Sequence, residues 1–253
     1  MKRSFWKNCI IGITACLFLI AVYCLAQVIV GNPLVFPSFS DSVKAFFDLL
    51  GQSAFYKALS RTLLRVLIAF FVSFAPALGL AIVSYLYPTL GRFFAPVVSV
   101  LRSLPTLAVL LIILSWTSAG TAPIVVAFLT LFPALYSGIL ASLKQTDKGL
   151  IEVSKTYGVP LNKRIVSLYL PASAPYVLRE SASALSLSLK LVASAEVLAS
   201  TAVSLGGLMQ DAKLYFATQT PTLFALVGAT FIVGLALESI VYALANCVER
   251  RVK

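Results

Sequence analysis

Six apolar stretches, separated by gaps that hold most of the charge, dominate this sequence. They run over residues 9–30, 63–87, 96–116, 123–143, 172–203 and 222–248. As helices rising about 1.5 Å per residue, most are long enough to cross a hydrocarbon core about 30 Å thick. A soluble fold could not cover them, because only 11% of the residues are charged and 60% are hydrophobic, where an ordinary soluble domain carries roughly 25% charged residues. Lipid must therefore solvate much of the surface. There every backbone polar group has to be satisfied inside a helix or a closed barrel, and runs of this length select the helix. The expectation is an all-α membrane protein with about six transmembrane helices.

The cations give an orientation. With the N-terminus inside, the inner segments hold Lys2, Arg3, Lys7, Arg92, Lys144, Lys148, Lys155, Lys163, Arg164, Arg250, Arg251 and Lys253. The outer segments hold Lys44, Lys57, Arg61 and Lys213, with Arg65 near the outer end of the second span. Positive charge gathers on the cytoplasmic side, so both termini are expected there. That bias also accounts for the excess of 20 Lys and Arg over 9 Asp and Glu. No polybasic stripe with interleaved aromatics is present, and nucleic acid is not an expected partner.

The sequence has no histidine, the commonest metal ligand and general base. Cys9, Cys16, Cys24 and Cys247 lie in or beside apolar runs without a CxxC pair. Neither a zinc site, a disulfide framework nor a cofactor is expected. Lys2, Arg3 and Lys7 before an apolar stretch have the layout of a signal peptide. The stretch is long for one, no small-x-small site follows, and Val22-Tyr23 before Cys24 makes no lipobox, so an uncleaved first span is expected.

Residues 31–62 read as an outer loop with turns at Asn32-Pro33 and Phe36-Pro37-Ser38. Val43, Phe46, Phe47 and Leu50 then fall at helical spacing, giving a short amphipathic interfacial helix. Residues 1–62 thus form an N-terminal span and loop, and 63–253 a core domain. Prolines at Pro76, Pro96, Pro105, Pro123, Pro133, Pro171 and Pro175 predict kinks, which membrane helices tolerate.

The fifth stretch is the wettest, with Ser173, Ser181, Ser183, Ser186, Ser188, Lys190 and Glu196. Such a helix should face protein or a water-filled path. A carboxylate at mid-span costs roughly 2.5 to 3.5 kcal/mol on insertion scales. Glu196 therefore lines a path, gates it, or pairs with another span or protomer. Six residues separate it from Lys190, about 240° of rotation at 3.6 residues per turn, so the two are poor partners for each other. Glu238 and the Arg179-Glu180 pair read as interhelical ion pairs.

The longest inner gap, 145–171, carries its own pattern. Asp147 suits a helix N-cap and Gly158 a left-handed stop. Leu150, Val153, Ser154 and Tyr157 share one face, with Glu152, Lys155 and Thr156 away from it. A second helical stretch runs from Leu161 to Pro171. A plain connection needs about two to eight residues, so the segment reads either as a docking surface or as a solvated loop.

The spacing of Glu152, Gly158, Leu168, Leu170 and Pro171 resembles the EAA signature of ABC importer permeases: Glu-Ala-Ala, three residues, Gly, nine residues, Ile, one residue, Leu-Pro. Val153 and Ser154 replace the alanines, and Leu168 the isoleucine. Leu101-Arg102-Ser103-Leu104-Pro105 is similar to the Leu-Arg-x-x-Pro stretch of the sulfonate, nitrate and taurine branch. Ala195-Glu196 with Gly206-Gly207, and Glu249-Arg250-Arg251, also resemble that branch, while the turn at Trp116 departs from its Trp-Phe-Gly form. The likeness covers roughly 63–253.

That resemblance implies the type I ABC importer transmembrane-domain fold and a permease that hydrolyses nothing itself, consistent with the lack of a phosphate-binding Gly-x-x-x-x-Gly-Lys-Ser/Thr loop. It implies a homodimer, or a pair with a sister subunit, bearing two cytoplasmic ATPases and served by an extracytoplasmic substrate-binding protein. Glu152, Val153, Ser154, Tyr157, Gly158 and Asn162 would make the ATPase-coupling surface, and Glu196 and Lys190 are the candidates for the translocation path. The resembled branch carries sulfonates, nitrate, taurine and vitamin precursors. The alternative is a secondary transporter or channel, which predicts internal repeats; none is evident between the halves.

Overall fold

The computed structural model describes the backbone of residues 2–252, and the side chains of Thr14 and of residues 17–250 other than Lys148 and Ala217. The side chains of Lys2, Arg3, Lys7, Cys9, Cys16, Lys148, Arg251 and Lys253, used in the charge and cysteine readings, lie outside the described residues. Every element described is helical: α1 (Lys2–Val30), α2 (Phe39–Leu50), α3 (Ser53–Leu86), α4 (Pro88–Ser103), α5 (Thr106–Leu114), α6 (Ala122–Leu143), α7 (Lys148–Thr156), α8 (Leu161–Arg164), a π-helical turn (Ile165–Tyr169), α9 (Leu170–Leu198), α10 (Leu205–Leu214) and α11 (Phe216–Val252).

Four helical stretches are long and apolar enough to cross a membrane: Ser53–Leu86, Ala122–Leu143, Leu161–Leu198 and Thr218–Arg250. The third expected span, 96–116, is instead a pair, α4 and α5, bent by 83°. Leu104 is extended (φ −65°, ψ 128°) because the proline after it disfavours the helical backbone. The pair raises the number of candidate spans to five, and the apolar end of α1, Leu17–Val30, is shorter. Six straight spans are thus not seen among the described residues. In α11, Gln219 leaves the helical region (φ −118°, ψ 17°) two residues before Pro221, which has no N–H to continue the ladder.

A second departure lies at Pro171. The expected stop is absent, and the helix beginning at Leu161 runs on to Leu198. The Leu170 N–H reaches back to the Ile165 carbonyl, and this wider turn lets the backbone pass a proline that cannot donate.

The chain divides into two compact units, one of residues 1–56 with 208–229 and one of 57–207 with 230–253. In the first, Tyr23 of α1 is the hub. Its hydroxyl donates to the Pro37 carbonyl (3.1 Å) and shares a hydrogen bond with Ser42 (2.9 Å). Its ring lies 4.8 Å from that of Phe36 and 6.0 Å from that of Phe224, and Thr220 donates to the Leu34 carbonyl at 2.8 Å. Ser38 caps α2 by accepting from the Asp41 N–H, as its residue type favours. The helix buries Leu49 and leaves Val43, Phe47 and Leu50 exposed, so the apolar face expected from the sequence is its outer one.

In the second unit α6 packs along α9, around Leu131, Leu135, Ile139, Leu143, Leu189 and Val192. Val66, Ala69, Phe70, Ala77 and Ala81 of α3 close the same core. Small residues let the backbones approach, which is how membrane helices gain packing without a hydrophobic driving force. Gly138 instead leaves room for a side chain, since a Cβ there would stand 2.2 Å from Glu180 Cδ. Arg179 pairs with Glu249 of α11 at 2.5 Å. The other two expected ion-pair members differ: Glu180 lies over Gly138, and Glu238 has no ion-pair partner among the described residues. Cys24 and Cys247 are free thiols, both exposed.

Candidate functional site

The segment after α6 folds as its residue types dictate. Asp147 caps α7, its Oδ1 accepting from the Gly149 N–H at 2.7 Å. Gly158 stops the helix in the left-handed region at φ +66°. The Gly158 N–H bonds the Lys155 carbonyl and the Val159 N–H the Ser154 carbonyl, each at 3.0 Å, the paired closing bonds of a Schellman stop. Ile151 packs against the core, and Ser154 lies half-buried beside it, donating to the Ile151 carbonyl at 2.7 Å. Leu150, Val153 and Tyr157 point outward instead, 52%, 53% and 82% exposed. Glu152 and Asn162 are exposed as well. Ser154 thus falls on the anchored side of α7 and not with the apolar trio.

A second constellation surrounds Glu196, near the end of α9, which is fully buried. Its carboxylate accepts from Arg65 Nη1 (2.9 Å), Thr62 Oγ1 (2.8 Å to one oxygen and 3.1 Å to the other) and the Gly206 N–H (3.2 Å). Arg65 also donates from Nε to the Gly120 carbonyl at 3.2 Å. Thr62 accepts from the Leu205 N–H at 2.9 Å. One carboxylate thereby ties α3 to the turn between α9 and α10, which is tightly folded. Ser200 and Val203 have φ +48° and +49°, and Thr201 donates to the Ala119 carbonyl at 2.6 Å. A Cβ on Gly206 would stand 2.4 Å from Glu196 Cβ and 2.5 Å from the Val197 nitrogen. Only glycine lets the α10 backbone come this close.

Lys190 is placed differently. It is exposed, and so are Ser183, Leu187 and Ser194, which lie at i, i+4, i+7 and i+11 and so form one stripe along α9. Between Tyr176 and Leu198 these four are the exposed residues of the helix, together with the terminus at Leu198 itself. The structure therefore separates the two residues that the sequence offered as path candidates: Glu196 faces protein and Lys190 does not. Sequence reasoning missed Thr62, Arg65 and Gly206 as partners of Glu196. A signal was available, since Arg65 and Glu196 both fall near the outer ends of their expected spans. No group of three or more Cys, Asp or Glu side chains suited to a metal occurs among the described residues.

Long apolar helices, a bent pair and a short exposed helix between two spans define a multi-pass membrane protein. The likeness to solved structures specifies the fold. An amino acid ABC transporter chain matches with a TM-score of 0.65 at 15% identity, over 76% of this chain and 93% of that one. A chain of the MetNI methionine ABC transporter in an inward-facing conformation matches with 0.64 at 18% identity, over 78% and 95%. This is the type I ABC importer transmembrane-domain fold. Residues 75–253 match the family described as binding-protein-dependent transport system inner membrane component, and the chain belongs to that family. The taurine transport system permease protein TauC of Escherichia coli K12 is 24% identical over 82% of this chain and 76% of its own length. The chain is an importer permease subunit, which decides against a secondary transporter or channel.

Proposed function

We propose that this permease seats α7 and the start of α8 in a groove of a cytoplasmic ABC ATPase, works as a homodimer, and takes its solute from an extracytoplasmic binding protein. The observation that carries this is the outward trio Leu150, Val153 and Tyr157 on a helix that Ile151 anchors to the core. Apolar side chains more than half exposed on a nine-residue helix serve a partner better than they serve water. Glu152, Val153, Tyr157, Gly158 and Asn162 make the coupling surface, with Ser154 behind it on the anchored side, and the unbroken helix from Leu161 to Leu198 carries its movement into the membrane. With α7 in the cytoplasm, and α1 and the α4–α5 pair each crossing the membrane once, both termini are cytoplasmic. The solute is a small sulfonate-bearing molecule of the taurine and aliphatic sulfonate class, its sulfonate met by Lys190 on the open stripe of α9. Glu196 shapes the same path by holding the α9–α10 turn.

Co-expression of the tagged full chain with its ABC ATPase tests the reading. V153E/Y157E should lose the co-purifying ATPase and ATP-dependent uptake while the permease itself accumulates normally. Full retention of the ATPase by that variant would overturn the docking assignment.

A further inference from the structure

One end of the second unit holds a cavity of about 660 Å³ between the end of α3, α4 and the end of α6. It is the end from which α6 leads into α7. Three cationic side chains line it, Arg92, Arg102 and Lys144, and no carboxylate does so among the described residues. Cations at a membrane boundary are ordinary, and by themselves would define only a positive surface. Three features of this cavity go further.

Arg102 is held across the wall, donating from Nη2 to the Pro133 carbonyl of α6 at 3.3 Å. Its guanidinium keeps four other N–H groups for a ligand. Ser84, only 5% exposed, accepts from the Tyr136 hydroxyl at 3.0 Å, and its own hydroxyl hydrogen has no acceptor among the described residues. Finally, α4 and α3 approach closely: a Cβ on Gly91 would lie 3.1 Å from the Ser84 carbonyl oxygen. Gly91 therefore lets the start of α4 close on Ser84, and Arg92, next to Gly91 in sequence, lines the same cavity. Two guanidinium groups, an ammonium and a free hydroxyl donor around one concavity, with no carboxylate among its described lining residues to answer them, make a receptor for a small oxyanion.

We propose that this cavity binds a sulfonate, phosphate or carboxylate group through Arg92, Arg102, Lys144 and Ser84. That chemistry belongs equally to a free solute and to the headgroup of an anionic lipid. The site shares no residue with α7, so its failure would leave the ATPase assignment intact.

The test is thermal unfolding of the full chain in phosphatidylcholine nanodiscs, titrated with sodium sulfate against sodium chloride at constant ionic strength. A parallel series replaces sulfate by increasing phosphatidylglycerol in the disc. Saturable stabilisation by sulfate, weakened about tenfold or more in R92Q/K144Q and kept in the charge-conserving R92K/K144R, identifies a free-oxyanion site. No response to sulfate, with a saturable response to phosphatidylglycerol that R92Q/K144Q loses, identifies the same site filled by a lipid headgroup. If R92Q/K144Q does not fold, S84A replaces it and should weaken the response severalfold. Stabilisation by neither ligand, or equal stabilisation of wild type and variants, overturns the proposal.

Discussion

Replacing Glu196 by alanine removes the acceptor of three donors at once: Arg65 Nη1, Thr62 Oγ1 and the Gly206 N–H. Removing one partner of a buried ion pair costs about 3–5 kcal/mol. Arg65 keeps the Gly120 carbonyl and has a side chain 13% exposed, so water relieves part of its loss and the lower end applies, about 3 kcal/mol. Glutamine fits the same space but presents one oxygen and one NH2. With its oxygen toward Arg65, the amide nitrogen meets the Gly206 N–H, donor against donor, and one buried bond is lost at about 1–3 kcal/mol. R65Q should also destabilise, because it leaves a fully buried carboxylate to Thr62 and Gly206 alone. The combined variant R65Q/E196Q then removes both charges together, and should be less damaged than the two single changes summed, by about 1 kcal/mol or more. Unfolding of the purified chain in mixed micelles with rising dodecyl sulfate, followed by circular dichroism, measures the four variants beside the wild type. Additivity within about 0.5 kcal/mol, or an E196A variant as stable as wild type, would refute the idea that this carboxylate holds the turn.

Glycine substitutions should separate backbone from side-chain crowding. G206A meets the Val197 nitrogen at 2.5 Å and the Ala193 carbonyl oxygen at 2.7 Å, and the same unfolding assay should show it destabilised by about 1–3 kcal/mol or more. G138A meets only the end of the flexible Glu180 side chain, and should cost less than about 1 kcal/mol. At Gly158 no atom lies within 4 Å of the added Cβ, so G158A pays only for the left-handed backbone, about 1–2 kcal/mol. It should loosen the ATPase in a co-purification assay without lowering the yield of permease. K190Q should leave the unfolding midpoint unchanged and reduce uptake of a sulfonate in whole cells.

Much of the fold was legible because apolar length is a local property. The runs that became α3, α6 and α11 needed only composition and the thickness of a bilayer. The ends of α7 were legible for the same reason, since Asp147 and Gly158 act on their own neighbours. The bend at Leu104 was not. A proline within an apolar run is compatible with either a kinked span or a break, and the surroundings decide. Pro171 erred the other way: it reads as a stop, yet the π turn over Ile165–Tyr169 carries the helix through it. Nor does any local feature join residues 208–229 to the N-terminal unit, because Phe224 and Tyr23, which meet in the fold, lie far apart in the chain.

The wet helix α9 was recognisable in sequence but not divisible. Its rotation divides it. Ser173 and Ser181 are buried and bond carbonyls one turn back, Ser188 is buried and bonds the Val66 carbonyl of α3 at 3.3 Å, and Glu196 is buried among its three donors. These polar groups are satisfied inside the unit. Ser183, Lys190 and Ser194 lie on the other side, exposed in one line. An ammonium cannot be left against hydrocarbon without a cost of roughly 2.5 to 3.5 kcal/mol even on the mildest scales. That line is suited to water or to another protein, which the proposed dimer around a path would supply. Spacing alone favoured Glu196 as the path residue over Lys190, whose long side chain can snorkel or pair. Burial reverses that order for the proposed path: a change at Glu196 should act through the fold of the α9–α10 turn, whereas a change at Lys190 should leave the fold intact.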